Sequence, residues 1–332
     1  MLRLLRLLLL GVVLVSACAA GGFYWLVSKP LPLADERIEF SVTPGSGMRA
    51  AARDVVAAGV PFEPLALVVL GRLLRVDASI KAGSYEITRG ESLLDLLKKL
   101  TRGDVTLSEI VFPEGWTFRQ IRERLDAHPD VTHASTGLSD MEIMRLIGAD
   151  GESLEGWIFP DTYLFAKNSR DIEVLARAHH AMQRHLAQAW ESRAPGLPLA
   201  TPYQALVLAS IVEKETGREQ DRPLVAAVFI NRLKRGMLLQ TDPSVIYGLG
   251  QGFDGNLRKR DLLADTPYNT YTRAGLPPTP IAMPGLASIK AVLHPAESSA
   301  LYFVARGDGS SHFSQTLDEH NNAVNRFQRK SR

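Results

Sequence analysis

Two carboxylates, Glu213 and Glu215, close the run Thr201-Pro202-Tyr203-Gln204-Ala205-Leu206-Val207-Leu208-Ala209-Ser210-Ile211-Val212-Glu213-Lys214-Glu215-Thr216-Gly217. A carboxyl in a partly apolar setting keeps its proton near neutral pH, so it can protonate a leaving oxygen. A helix turns about 100° per residue, so the two side chains point about 200° apart and cannot both enter one cleft. Glu215 shares its stripe with Leu208, Ile211 and Val212, whereas Glu213 shares its stripe with Ala209 and Ser210. The more apolar stripe desolvates its acid, which makes Glu215 the candidate general acid. The competing structural reading is a last helical turn whose two carboxylates are solvated and flank Lys214.

The run that carries them reads as one buried helix. Thr201 can cap it, Pro202 suits the first helical position, and Gly217 can take the left-handed conformation that ends it. The stretch between is apolar on nearly every face and asks for protein all round. Next, Pro223 to Arg235 predicts a helix with Val225, Val228, Phe229 and Leu233 inward and Arg232, Lys234 and Arg235 outward, ended by Gly236. An apolar approach then delivers Gln240 and Asp242 into a turn before a short helix, well placed to contact substrate amide and hydroxyl groups. Capping of that helix is the competing role for Asp242. The loop from Pro267 to Gly285 is dense in Tyr, Asn and Pro, rigid without secondary structure, and suits a preorganised cleft wall. A strand at Leu301–Ala305, a Gly-rich turn, a partner strand at His312–Ser314 and a helix over Asp318–Phe327 follow.

Aromatic content rises after Leu107. The phrase Glu114-Gly115-Trp116 recurs as Glu155-Gly156-Trp157, each time at a turn. Exposed Trp and Tyr beside carboxylates suit carbohydrate clefts, and packing of loop aromatics is the alternative. Asp171 to Glu191 reads as a long helix whose His179, His180 and His185 do not fall one turn apart, so a metal pair is not expected and they read as surface or satisfied histidines.

At 332 residues the chain can form two domains. A net charge of +2 with no block of Lys and Arg gives no footprint for nucleic acid. Leu7 to Ser28 carries no charge, and about 22 residues at about 1.5 Å each match the roughly 30 Å hydrocarbon thickness of a bilayer. Arg3 and Arg6 precede it, so the N-terminus is expected in the cytoplasm with everything after Lys29 across the membrane; Tyr24 and Trp25 fit the far interface. Val15-Ser16-Ala17-Cys18 loosely resembles a lipoprotein box, but the apolar run continues past Cys18, which favours an uncleaved anchor. Cys18 is the only cysteine, so no intrachain disulfide forms. Lys29-Pro30-Leu31-Pro32-Leu33 is a stiff spacer. After it, Arg37 to Val42 alternates like a half-buried strand, Met48 to Gly59 and Leu65 to Leu74 read as helices, and Lys81 to Leu97 reads as strand, turn and helix with a capping box at Ser92 and Asp95. Tyr85-x-Ile87-x-x-Gly90-Glu91-Ser92-Leu93 resembles the LysM module that binds amino-sugar glycans, with a generic βα unit as the alternative.

Taken in order, Leu208 to Thr216, Val228-Phe229-Ile230-Asn231-Arg232-Leu233, Leu239-Gln240-Thr241-Asp242-Pro243, Tyr268-Asn269-Thr270-Tyr271, Gly275-Leu276-Pro277-Pro278 and Tyr302-Phe303-Val304-Ala305 resemble the YceG-like endolytic murein transglycosylases. The resemblance implies an α+β chain in three parts: a transmembrane anchor and spacer over 1–33, a LysM-like βα domain over 34–106, and an α-rich lysozyme-like catalytic domain over 107–332. It implies cleavage of nascent peptidoglycan at the bacterial inner membrane, with peptidoglycan synthases as possible partners. In the wider lysozyme-like transglycosylases the acid is a Glu followed by Ser, which Glu215-Thr216 matches and Glu213-Lys214 does not. By the same resemblance Gln240, Asp242, Tyr268 and Asn269 are expected to bind substrate. No second carboxylate is strongly placed as nucleophile or base, Asp242 and Asp254 being the nearest candidates, which suits a transglycosylase better than a water-using muramidase. A noncatalytic glycan-binding scaffold is the remaining alternative. Neither a ligand cluster nor a phosphate-cradling glycine loop is present, so no metal or cofactor is expected.

Overall fold

The computed structural model describes residues 2–149 and 153–329. In chain order, α1 (Leu2–Ser28) leads to β1 (Arg37–Val42), α2 (Met48–Ala57), α3 (Pro64–Leu73), β2 (Gly83–Thr88) and α4 (Leu93–Arg102). Next come β3 (Leu107–Val111), α5 (Phe118–Asp126), β4 (Val131–Thr132), α6 (Asp140–Leu146), β5 (Thr162–Ala166), β6 (Ser169–Arg170) and α7 (Asp171–Glu191). The remainder is helical except for one hairpin: α8 (Pro202–Glu215), α9 (Arg222–Lys234), α10 (Asp242–Leu249), α11 (Lys259–Leu263), α12 (Leu286–Leu293), β7 (Tyr302–Ala305), β8 (Ser311–Ser314) and α13 (Leu317–Val324). The mixed α+β content is the expected one. Two compact units result, one of residues 1–108, 130–132 and 164–169, the other of 109–129, 133–163 and 170–332.

In the first unit α1 is long and apolar enough to cross a membrane over Leu9–Ser28. Only its end turns inward, where Val27 is buried and Phe23 packs beside it. β1 and β2 pair antiparallel with Ile38 opposite Ile87 and Phe40 opposite Tyr85. Alternation along β1 puts Ile38, Phe40 and Val42 on the core face, and Phe40 stacks on Tyr85 at 5.7 Å. The helices α2 and α3 lie between these strands in sequence. The phrase Tyr85 to Leu93 occupies β2, its turn and the start of α4, so it follows that helical pair. Ser92 and Asp95 form the expected capping box, with both bonds at 3.2 Å, and Leu93, Leu96, Leu97 and Leu100 are buried.

In the second unit α8 is the core. Every residue from Ala205 to Val212 is buried, and α7, α9 and α12 surround it. Thr201 accepts the Gln204 N–H at 3.3 Å. The far end differs from the expected glycine stop. The helix ends at Glu215 because Thr216 is extended (φ −148°), a conformation natural to a β-branched residue, and Gly217 does not take a left-handed conformation. Gly156 does require its glycine, since it sits at φ +81° and an added Cβ would lie 2.4 Å from the Pro280 ring.

Candidate active site

Glu215 stands at the last position of α8, beside the turn that opens α10. Its carboxylate accepts a hydrogen bond from the Thr241 hydroxyl. Thr241 is itself buried, and its N–H donates to Thr270 Oγ1 at 3.0 Å. The preceding Gln240 is left-handed at φ +49°, with its N–H donating to the Thr270 carbonyl at 3.0 Å. A non-glycine residue in that conformation carries about 1–2 kcal/mol of strain, here offset by the two bonds to Thr270. The proline-rich loop thereby fixes the turn that holds the acid.

A cleft of about 370 Å³ opens on Glu215, lined also by Gln240, Asp242, Tyr271, Arg232, Tyr302 and His320. Burial pushes the Glu215 carboxyl above the usual carboxylate range. The Asp242 charge pushes it further, while the Thr241 donor and the Arg232 guanidinium oppose the rise without cancelling it. A carboxyl raised in this way keeps its proton to higher pH than a free one and can donate it to a bound substrate.

Of the residues expected in the site, Glu215, Gln240 and Asp242 converge on the cleft. Asp242 is the first residue of α10 and makes no cap bond; its Oδ1 accepts from the Tyr271 hydroxyl at 2.5 Å. Tyr268 and Asn269 are not among the lining residues. Tyr268 bonds Thr279 through its hydroxyl at 2.9 Å and meets Tyr247 edge-on. Asn269 is buried, with Nδ2 donating to the carbonyls of Leu262 at 3.1 Å and Ala264 at 2.6 Å and Oδ1 accepting the Tyr271 N–H at 2.9 Å. It therefore shapes the loop and aims Tyr271. Asp254 is exposed and held by Arg258 at 2.6 Å, away from the cleft lining.

Arg232 corrects the outward placement expected from its charge. It is 7% exposed, with Nε donating to Leu301 O at 2.7 Å, Nη1 to Leu239 O at 2.6 Å, and its guanidinium 5.2 Å from the Tyr302 ring. It follows Val225 and Val228 on the buried stripe of α9, and backbone carbonyls distant in sequence supply the partners that no local pattern reveals. Local pattern likewise assigns no site role to Tyr271, Thr241, Tyr302 or His320. Tyr271 ends the Tyr-Asn-Thr-Tyr phrase, whereas His320 carries no local signal.

Glu213 is neither solvated nor in the cleft. Its side chain accepts from the Gly285 N–H at 2.9 Å and the Ser288 hydroxyl at 2.8 Å, and it faces Arg222 at 3.7 Å. Gly285 precedes α12 and has no capping side chain of its own, so Glu213 supplies the acceptor and the negative charge at that helix start.

The two Glu-Gly-Trp turns are packing features. The Gly115 N–H donates to the Met283 carbonyl at 2.9 Å, the Met283 N–H donates to the Trp116 carbonyl at 2.7 Å, and Trp157 stacks on Tyr203 at 5.9 Å. Glu155 is 5% exposed, accepts the Phe118 N–H at the start of α5 and the Tyr247 hydroxyl, both at 3.1 Å, and is pushed by burial from 4.5 up to about 7. Folding therefore takes up a proton at Glu155. Stability should fall as pH rises from about 4.5, with a full cost of about 3 kcal/mol present above pH 7. In Glu155→Gln that decline should flatten, with equal stability near pH 4.5 and a more stable variant at pH 8 by urea unfolding. Parallel curves for both proteins would refute the assignment.

The helix α7 carries its histidines separately. His180 is exposed and His185 stacks on Phe159 at 4.2 Å. His179 departs from the surface or satisfied reading: it is buried against Trp157, its Nδ1 has no hydrogen-bond partner among the described residues, and burial lowers its pKa. Among the described residues, no group of three or more His, Cys, Asp or Glu is placed to hold a metal ion.

The sequence pattern of the YceG-like family matches residues 40–326. The chain belongs to the YceG-like family. A Bacillus subtilis relative named endolytic murein transglycosylase is 32% identical over 267 residues, covering 75% of this chain and 74% of its own length. A Streptococcus pneumoniae protein of the same name is 28% identical over 94% of this chain, which spans 62% of that longer protein. A crystal structure of a YceG-like protein from Listeria monocytogenes is 28% identical and superposes with a TM-score of 0.55 over 86% of this chain and 98% of its own. The YceG-like match takes in α8, the Gln240–Asp242 turn, the loop of Tyr271 and the hairpin of Tyr302 together.

Proposed function

We propose that this protein is an endolytic murein transglycosylase that cuts the bond between N-acetylmuramic acid and N-acetylglucosamine in nascent peptidoglycan and leaves a 1,6-anhydro end. One observation carries the reading: Glu215 is a largely desolvated carboxyl lining an open polar cleft, raised in pKa and held by the Thr241 hydroxyl. The names of the relatives in Bacillus and Streptococcus support it.

Protonated Glu215 gives its proton to the glycosidic oxygen as the bond to the muramyl C1 breaks, and positive charge develops at that carbon. The resulting carboxylate then takes the proton of the muramyl C6 hydroxyl while that oxygen closes on C1. Glu215 ends protonated, no water is consumed, and the cut strand is released in two pieces. A raised pKa lets one group serve in both directions. Gln240 and Asp242 orient the sugar, and Tyr271 orients Asp242. Tyr271→Phe should lower kcat/KM about tenfold with little change in melting temperature, because the bond it removes ends on a charged group. An unchanged kcat/KM would remove Tyr271 from the account.

In this reading residues 1–33 are the anchor and spacer, 34–106 a LysM-like module that holds the glycan, and 107–332 the catalytic region. The N-terminus lies in the cytoplasm and the cleft on the periplasmic face of the inner membrane, where strands leave the peptidoglycan synthases that are its partners. The strand pair β1 and β2 with two intervening helices supports the LysM-like reading. A second reading is favoured by Asp242, whose carboxylate shares the cleft and could activate water in a muramidase. Digestion of long uncrosslinked glycan strands followed by size analysis tests the endolytic function. Rapid shortening through mid-length products is expected; disaccharides released from the outset would indicate cutting from strand ends, and intact strands would leave a glycan-binding scaffold.

A further inference from the structure

His320 lies on α13, more than a hundred residues beyond Glu215, yet its ring lines the same cleft. The imidazole stacks on Tyr302 at 5.3 Å, and Tyr302 in turn lies over the Arg232 guanidinium. This stack fixes the ring plane. Nδ1 is shut off from solvent and has no hydrogen-bond partner among the described residues. A buried bare lone pair is cheaper than a buried unpaired N–H, so the neutral ring keeps its proton on Nε2. Burial and the Arg232 charge both favour the neutral form.

The cleft beside this ring is of mixed character. Phe303 and the exposed Leu317 are apolar, while the charged groups of the lining are mixed, Arg232 on one side and Glu215 and Asp242 on the other. A 2-acetamido group has the matching parts, a methyl for the apolar wall and a carbonyl oxygen to accept an N–H. An N-deacetylated amino sugar offers an ammonium instead, which has no acceptor for the imidazole N–H and no methyl for the apolar wall.

We infer that His320 is a specificity-determining residue that donates through Nε2 to the 2-acetamido carbonyl of a bound amino sugar and thereby selects N-acetylated over N-deacetylated glycan. The inference rests on the proposed glycan substrate and concerns which form of it is taken. Full-length Glu215→Gln protein in detergent blocks turnover, so binding can be titrated with uncrosslinked N-acetylated strands and with the same strands chemically N-deacetylated. The parent should prefer the acetylated strands about tenfold. His320→Phe keeps the stack on Tyr302 but lacks the donor, and should bind acetylated strands about tenfold more weakly, with the preference reduced toward unity. His320→Gln restores an N–H at a similar reach and should recover most of both. Equal affinities in all three proteins would overturn the inference, as would an equal loss in both variants accompanied by lowered melting temperatures, which would mark His320 as a structural brace. Failure of the parent to bind either strand would overturn it too. Cleavage by protein with Glu215 intact is scored separately, so a strand that binds through His320 but is not cut would reject the catalytic reading and keep this one.

Discussion

Glu215→Gln should fold as the native protein does and cleave peptidoglycan more slowly by on the order of 10³-fold or more. Glutamine keeps an oxygen to accept the Thr241 hydroxyl but has no proton to give at neutral pH. The same substitution has a stability signature. Because the native pKa of Glu215 is raised, ionising it works against folding, and this cost grows as pH rises above the ordinary carboxylate range. Glu215→Gln removes the cost, so the variant should match wild type in acid and melt at a higher temperature near pH 8. Activity follows the same titration: the first step needs the acid form, so kcat/KM should fall on the alkaline side as the raised group loses its proton. A variant that still cut strands at near-native rate would end the case for Glu215.

Glu213→Gln should give the opposite pattern, with a large loss of stability and no specific loss of chemistry. The Glu213 and Arg222 side chains are 6% and 9% exposed, and no other ion pair to Arg222 within 4.0 Å exists among the described residues. Removing the carboxylate charge leaves the buried Arg222 guanidinium with Glu114 as a weaker counter-charge and weakens the start of α12, at an expected cost of about 3 kcal/mol. Urea unfolding at pH 7 measures the loss. Glu213→Leu combined with Arg222→Met should recover a large part of it, since the buried charge is then absent. If Glu213→Gln were as stable as wild type yet inactive, the acid would have to be reassigned from Glu215 to Glu213.

Local physics made much of this molecule legible. Helical spacing and the Thr201 and Ser92 caps located α8 and α4, alternation located β1, and the angle between Glu213 and Glu215 separated a cleft acid from a second carboxylate that cannot share its cleft. What stayed hidden depends on partners far along the chain. Arg232 is inward because carbonyls at 239 and 301 receive it, and Glu213 is buried because residues 285 and 288 bring donors to it. Neither periodicity nor composition reports such pairings. Asn269 shows the limit of motif position: the Tyr268-Asn269 phrase marks the loop, but its hydrogen bonds go to that loop's own carbonyls, and Tyr271 is the residue that reaches the cleft.

The claim at the centre of this account is that one carboxyl cleaves the strand without water. Digestion of uncrosslinked peptidoglycan in water enriched in ¹⁸O, with mass analysis of the new ends, tests it most directly. Anhydro ends with no heavy oxygen are the predicted result. One ¹⁸O per cut, on reducing ends, would contradict it and shift the mechanism to a muramidase in which Asp242 activates water.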